Sequence, residues 1–169
     1  MPFEDILTLP PPPADTRLAY GTDPNQFGEL RTPKSGGPFG SVMFIHGGFW
    51  RAKYDLKHAG HLCAALTAKG IATWNVEYRR VGNAGGGWPG TFEDIAKAYR
   101  YLPQIASRYN LDSKKIVVAG HSAGGELEQI QFLLGHVSIQ TTERYLGVQQ
   151  DLTDAPCDHL GIRVRSIGR

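Results

Sequence analysis

Two short runs in this chain carry residues that could do chemistry together: His46-Gly47-Gly48-Phe49-Trp50 and Gly120-His121-Ser122-Ala123-Gly124-Gly125. A serine flanked by glycines two residues before and two after fits a sharp strand-to-helix turn that lifts its hydroxyl above a sheet as a nucleophile. The glycines of the earlier run free backbone N–H groups to point at a developing oxyanion. The candidates there are Gly47, Gly48 and Phe49, joined by the N–H of Ala123. Ser122 also needs a base, because its hydroxyl must lose a proton as it attacks. His46 and His121 are placed to line the oxyanion loop and the turn, whereas His58 and His61 read as surface positions of a helix.

Each run must be delivered by a strand. Ser41 to Ile45 (SVMFI) reads as a short buried strand ending at His46, and Lys115 to Ala119 (KIVVA) as another ending at Gly120. Between them Asp55 can cap a helix with Leu56, Ala59, Leu62, Cys63 and Leu66 on one face, stopped by Gly70. Ile71 to Val76 is a further strand, followed by a glycine-rich loop, Val81 to Gly90. Thr91 is expected to cap the next helix, with Glu93 and Asp94 in its first turn and an apolar stripe of Ile95, Ala98, Tyr99, Leu102, Ile105 and Ala106. Pro103 should kink that helix or end it early. Strands alternating with helices predict an α/β fold with a parallel sheet and helices flanking it. After Gly125 the pattern becomes a short all-α segment without strands.

Residues 20–125 resemble an α/β-hydrolase of the esterase and kynurenine-formamidase-like group. The resemblance rests on Tyr20-Gly21-Thr22-Asp23-Pro24, the HGGFW of His46 to Trp50, Glu77-Tyr78-Arg79-Arg80, and GHSAGG. It implies Ser122 as nucleophile, an oxyanion hole from Gly47, Gly48 or Phe49 with Ala123, a small ester or amide as substrate, and no cofactor or metal. In such enzymes the triad runs in the order serine, acid, histidine. Asp154 with His159 satisfies that order here, as would Asp151 or Asp158 with the same histidine. These lie in a turn-like run on no predicted strand, so the expectation is a hydrolase-like domain truncated just past its elbow, with impaired chemistry.

The stretch from about residue 121 to 162 resembles a different family, the C-terminal end of a tyrosine recombinase of the phage-integrase type. Leu134-Gly135-His136, then Thr141 and Thr142, then Tyr145 carry the likeness. It implies attack by Tyr145 on a DNA phosphodiester, assisted by His136, and a DNA partner under this alternative alone. Phosphoryl transfer needs fixed guanidinium groups on the phosphate oxygens, and the residues upstream do not supply that family's set. The expectation is therefore a chimera joined at His121 to Gly125. Its readings are a serine hydrolase, a recombination fragment, or an inactive product.

Bulk properties narrow the classes. The 169 residues suit one domain, read as a proline-rich leader (1–16), a hydrolase-like half (17–125) and a helical segment (126–169). A net charge of +2 is too mild to imply nucleic acid or a membrane surface. The start has acidic residues and no apolar core, unlike a secretory signal, and no apolar run approaches a membrane span. Cys63 and Cys157 cannot form a disulfide framework. With 41% hydrophobic and 20% charged residues, a cytoplasmic protein is the expectation. Loss of the neighbours that KIVVA would normally have predicts an apolar sheet edge that favours self-association.

Overall fold

The computed structural model describes residues 9–122. Five strands form one mixed sheet in the order β1-β2-β4-β3-β5. They are β1 (Thr16–Ala19), β2 (Phe27–Arg31), β3 (Phe39–Ile45), β4 (Ala72–Val76) and β5 (Leu111–Gly120). β3 lies parallel to β4 and to β5, as the alternation of elements predicts. The expectation of a wholly parallel sheet is corrected at the other edge, where β1 pairs antiparallel with β2, and β2 antiparallel with β4. These two strands were missed for a physical reason. They are four and five residues long, and β2 carries a glycine in its interior. That glycine has a packing role, since a Cβ on Gly28 would lie 2.6 Å from the Trp74 ring.

Strand alternation separates the two sheet faces. Met43, Ile45, Trp74, Val76 and Val118 share the main core with α2 (Gly90–Ile105) through Ile95, Ala98 and Leu102. Phe44 and Ala119, pointing the other way, meet Cys63 of α1 (Gly60–Ala68) and Ala59 just before it. Asp55 caps as expected, accepting from the Lys57 N–H at 3.0 Å, and Gly70 ends the segment with φ of +89°.

Local details depart from the sequence reading. The segment after Asp55 opens as a 3-10 turn, Leu56–Ala59, before α1 begins. A 3-10 turn advances about 120° per residue rather than 100°, which shifts the phase of the expected stripe and leaves Leu62 exposed. Thr91 lies inside α2 rather than capping it. Its hydroxyl donates to the Arg79 carbonyl and accepts from the Gly87 N–H, joining the helix start to the loop before it. Pro103 does not end α2, which continues to Ile105 because the proline falls in the last turn. Within the described residues β5 has one strand neighbour, β3.

Asp94 is more than a first-turn acid. It is buried and accepts from Gln26 Nε2 (2.6 Å), the Arg79 N–H (3.0 Å), and Arg79 Nε and Nη2 (2.8 and 2.7 Å). The carboxylate ties α2 to the end of β4 and to the β1–β2 turn, and it raises the pKa of the Arg79 guanidinium through their hydrogen bonds. Asp94→Ala is expected to cost about 3 kcal/mol in urea unfolding, because Arg79 and Gln26 lose a buried partner. A loss under about 1 kcal/mol would contradict this role.

Candidate active site

Register brings the chemistry to one place. Ile45 pairs with Val76 on one side and with Gly120 on the other, so β3, β4 and β5 end level. The residues that follow, His46-Gly47, Glu77 and His121-Ser122, therefore emerge side by side at the carboxyl ends of three adjacent strands, the usual location for sites in such sheets.

Ser122 is exposed and has φ of +56°. A non-glycine residue in the left-handed region carries strain of about 1–3 kcal/mol and persists only where its surroundings impose it. The His121 N–H donates to the Ile45 carbonyl at 3.2 Å, locking the turn to the end of β3. Gly47 then backs directly onto this turn. A Cβ there would lie 2.5 Å from the His121 carbonyl and 2.9 Å from the Ser122 Cβ. The two sequence runs are thus in contact.

The glycine loop after β3 has a one-sided hydrogen-bond pattern. Successive carbonyls are all engaged: Ile45 by the His121 N–H, His46 by the Tyr78 hydroxyl (2.5 Å), Gly47 by the His46 ring (2.8 Å), and Gly48 by the Arg51 N–H (3.0 Å). Among the described residues, the N–H groups of Gly47, Gly48 and Phe49 have no backbone partner. Such donors seek an acceptor, and this is the arrangement an oxyanion requires. Gly48 adopts φ of +118°, where a Cβ would also meet the Tyr54 side chain at 2.5 Å. Phe49 and Trp50 follow with φ of +53° and +57°.

Of the four consecutive residues after β4, Glu77 and Tyr78 hold this loop and Arg79 and Arg80 tie down its surroundings. Glu77, buried, accepts from His46 Nε2 (2.9 Å), the Tyr78 N–H (3.0 Å) and the Leu56 N–H (3.2 Å). Tyr78 stacks on His46 with ring centroids 4.4 Å apart, and burial pushes its hydroxyl well above the ordinary tyrosine pKa, so it stays a donor. Arg79 holds Asp94. Arg80 reaches the Tyr54 carbonyl, Asn25 Oδ1 (3.1 Å) and Glu77 Oε1 (3.3 Å).

His46 and His121 directly follow β3 and β5, in the loop and turn where the sequence reading put them. That reading misplaced His58, expected on a surface. His58 is half-buried, with its ring 5.8 Å from that of His46 and 6.0 Å from that of His121. Burial first, then the neighbouring His46, holds its pKa below the usual histidine value. Helical periodicity gave no signal for this, because His58 lies in the 3-10 turn. An aromatic path continues from Tyr78 through Trp50 and Phe92 to the exposed Trp88 of the glycine-rich loop. Ala123, His136, Tyr145, Asp154 and His159 lie outside the described residues. Among the described residues no group of three or more histidine, cysteine or acidic side chains is arranged to hold a metal ion, and no helix is long and apolar enough to cross a membrane.

The sheet, with a strained serine after β5 beside an N–H-bearing glycine loop after β3, defines an α/β-hydrolase fold of the esterase kind. The chain belongs to the BD-FAE family, which it matches over residues 30–156. Among solved structures, a bacterial heroin esterase is 27% identical, with a TM-score of 0.59 over 79% of this chain and 40% of that one. A carbohydrate esterase from gut microbiota, in a truncated form, shares the fold at 23% identity and a TM-score of 0.59, over 68% of this chain and 43% of that one. Neutral cholesterol ester hydrolase 1 of Pongo abelii is 32% identical over 91 residues, 52% of this chain and 22% of that protein. Kynurenine formamidase of Meyerozyma guilliermondii is 30% identical over 132 residues, 78% of this chain and 48% of that protein. The chain spans less than half the length of each of these relatives.

Gly47→Ala should force the loop after β3 and the Ser122 turn apart. Any hydrolysis of p-nitrophenyl acetate by the parent chain is expected to fall by about 100-fold or more, measured as kcat. Activity within about twofold of the parent chain would contradict the contact described here.

Proposed function

We propose that this protein is a serine hydrolase of the carboxylesterase or arylformamidase-like kind, acting on a small ester or amide without a cofactor. The observation that carries this reading is the positive φ of Ser122 immediately beside the Gly47–Phe49 loop, whose N–H groups have no backbone partner among the described residues. The names of the relatives, a cholesterol ester hydrolase and a kynurenine formamidase, support ester and formamide bonds as the chemistry to test.

In this reading Ser122 Oγ attacks the substrate carbonyl carbon while a histidine base takes its proton. The carbonyl oxygen becomes an oxyanion and accepts from the loop N–H groups and that of Ala123. Collapse breaks the bond to the alcohol or amine, which leaves with the proton from the base. Water then attacks the acyl-serine by the same route, releasing the acid and restoring Ser122. His159 is the base and Asp154 its orienting acid, as the order of a serine triad allows. The BD-FAE match extends to residue 156 and so takes in His136 and Tyr145 as well as Asp154. That span supports the hydrolase reading over DNA recombination for the same stretch.

Hydrolysis of p-nitrophenyl acetate by the full chain, compared with Ser122→Ala, tests the proposal. Turnover that falls by at least about 1000-fold in the variant is expected. Turnover unaffected by the substitution would sink it.

A further inference from the structure

The three most exposed large apolar side chains among the described residues share one surface. Phe49 is 69% exposed, Val81 55% and Trp88 74%. Single exposed apolar groups are ordinary, whereas a continuous set marks a place that something else covers. Continuity here follows from backbone and ring contacts. The Val81 N–H donates to the Trp50 carbonyl at 2.7 Å, and the Ala52 N–H to the Val81 carbonyl at 3.0 Å. A Cβ on Gly87 would lie 3.4 Å from Val81 Cγ2. Trp88 meets Phe92 edge-on and Phe92 meets Trp50, both with ring centroids 5.3 Å apart. Phe49 precedes Trp50, so the surface starts at the loop after β3 and spreads over the glycine-rich loop.

The loop that carries Trp88 is tied down. The Asn83 N–H donates to the Arg80 carbonyl (2.8 Å), the Gly86 N–H to the Asn83 carbonyl (3.0 Å) and the Gly87 N–H to the Thr91 hydroxyl (3.0 Å). Gly85 packs on the Arg79 guanidinium that Asp94 holds. A large ring held out into water by such a loop is an unfavourable exposure that a covering surface would relieve. The charge beside it has one sign. Residues 49–54 and 81–90 contain Arg51 and Lys53 and no acid. Both cations are exposed, and neither forms an ion pair among the described residues. Of the nearest acids, Asp55 is engaged by Lys57, and Glu93 lies in the first turn of α2.

We propose that this face docks on an anionic lipid surface. Trp88, Val81 and Phe49 enter the boundary between headgroups and acyl chains, and Arg51 and Lys53 meet the phosphates. A bilayer offers negative charge directly above hydrocarbon, which is the complement of apolar rings bordered by cations alone. The indole of Trp88 suits that boundary because its ring is apolar and its N–H still finds an acceptor there. Each cation near such a surface adds about fivefold in affinity, and salt screens that part. The chain's overall charge of +2 gave no signal for this, because the bias is local to two loops. Docking of this kind is peripheral and needs no membrane-crossing helix.

Fluorescence of the full chain with unilamellar vesicles of phosphatidylglycerol and phosphatidylcholine in equal parts tests this. The Trp88 emission is taken as the difference between the parent chain and Trp88→Phe. Without vesicles it is expected to be quenched by acrylamide. With them it should shift to the blue and be quenched instead by lipids brominated on their acyl chains. Trp88→Ser should weaken co-sedimentation with these vesicles by about 10-fold or more. Arg51→Gln combined with Lys53→Gln should do the same, and the parent chain should bind pure phosphatidylcholine by a similar factor more weakly. Absence of binding to the anionic vesicles, binding unchanged in either variant, or equal binding to the neutral ones would overturn the proposal. Trp88 emission already shielded from acrylamide before vesicles are added would place protein on this face and overturn it too. None of these readouts uses turnover, so they hold whatever the Ser122→Ala comparison returns.

Discussion

A Cβ at Gly47 would lie 2.5 Å from the carbonyl of His121, and most of the site follows from that closeness. Only a glycine lets the loop after β3 rest against the turn after β5. That approach sets the backbone of one motif against the Ser122 side chain of the other. The level ends of β3, β4 and β5 make the approach possible. The His121 N–H on the Ile45 carbonyl fixes it in place. The strain at Ser122, Phe49 and Trp50 is tolerated because these bonds over-determine the loop from several sides.

The support comes mainly from one short run. Glu77, Tyr78, Arg79 and Arg80 leave β4 in sequence, and each has a separate task. Glu77 holds the His46 ring and the start of the 3-10 turn, and Tyr78 holds the His46 carbonyl. Arg79 clamps Asp94 of α2, while Arg80 bridges the Tyr54 carbonyl and Asn25. Buried charges are expensive unless paired and hydrogen-bonded. Here each carboxylate has several donors, so the cost is offset and the loops gain fixed positions. The same polar cluster therefore stabilises the carboxyl end of the central strand β4 and the loops around it.

Much of this was legible in the residues. The HGGFW run, the start of the second motif as far as Ser122, the strands that deliver them, the Asp55 cap and the Gly70 stop appear where local chemistry predicts them. What local chemistry could not give was set by partners distant in sequence. β1 and β2 are too short to announce themselves and exist as strands because β4 accepts them. Leu62 lost its expected place because a 3-10 turn changed the helical phase. Thr91 and Asp94 look like a cap and a first-turn acid, yet they serve Arg79, Gln26 and the loop before the helix. His58 entered the site only through the fold. Ala123, Asp154 and His159, the remaining parts of the proposed machinery, lie outside the described residues.

The central claim is that the fold presents Ser122 as an activated nucleophile beside oxyanion donors. Treating the full chain with a fluorophosphonate ester and measuring intact mass, then mapping the modified peptide, tests this most directly. The account predicts one adduct per chain, on Ser122, with the phosphoryl oxygen taking the oxyanion position and labelling lost in Gly47→Ala. An unlabelled Ser122, or a label spread over other serines and tyrosines at a similar rate, would contradict it.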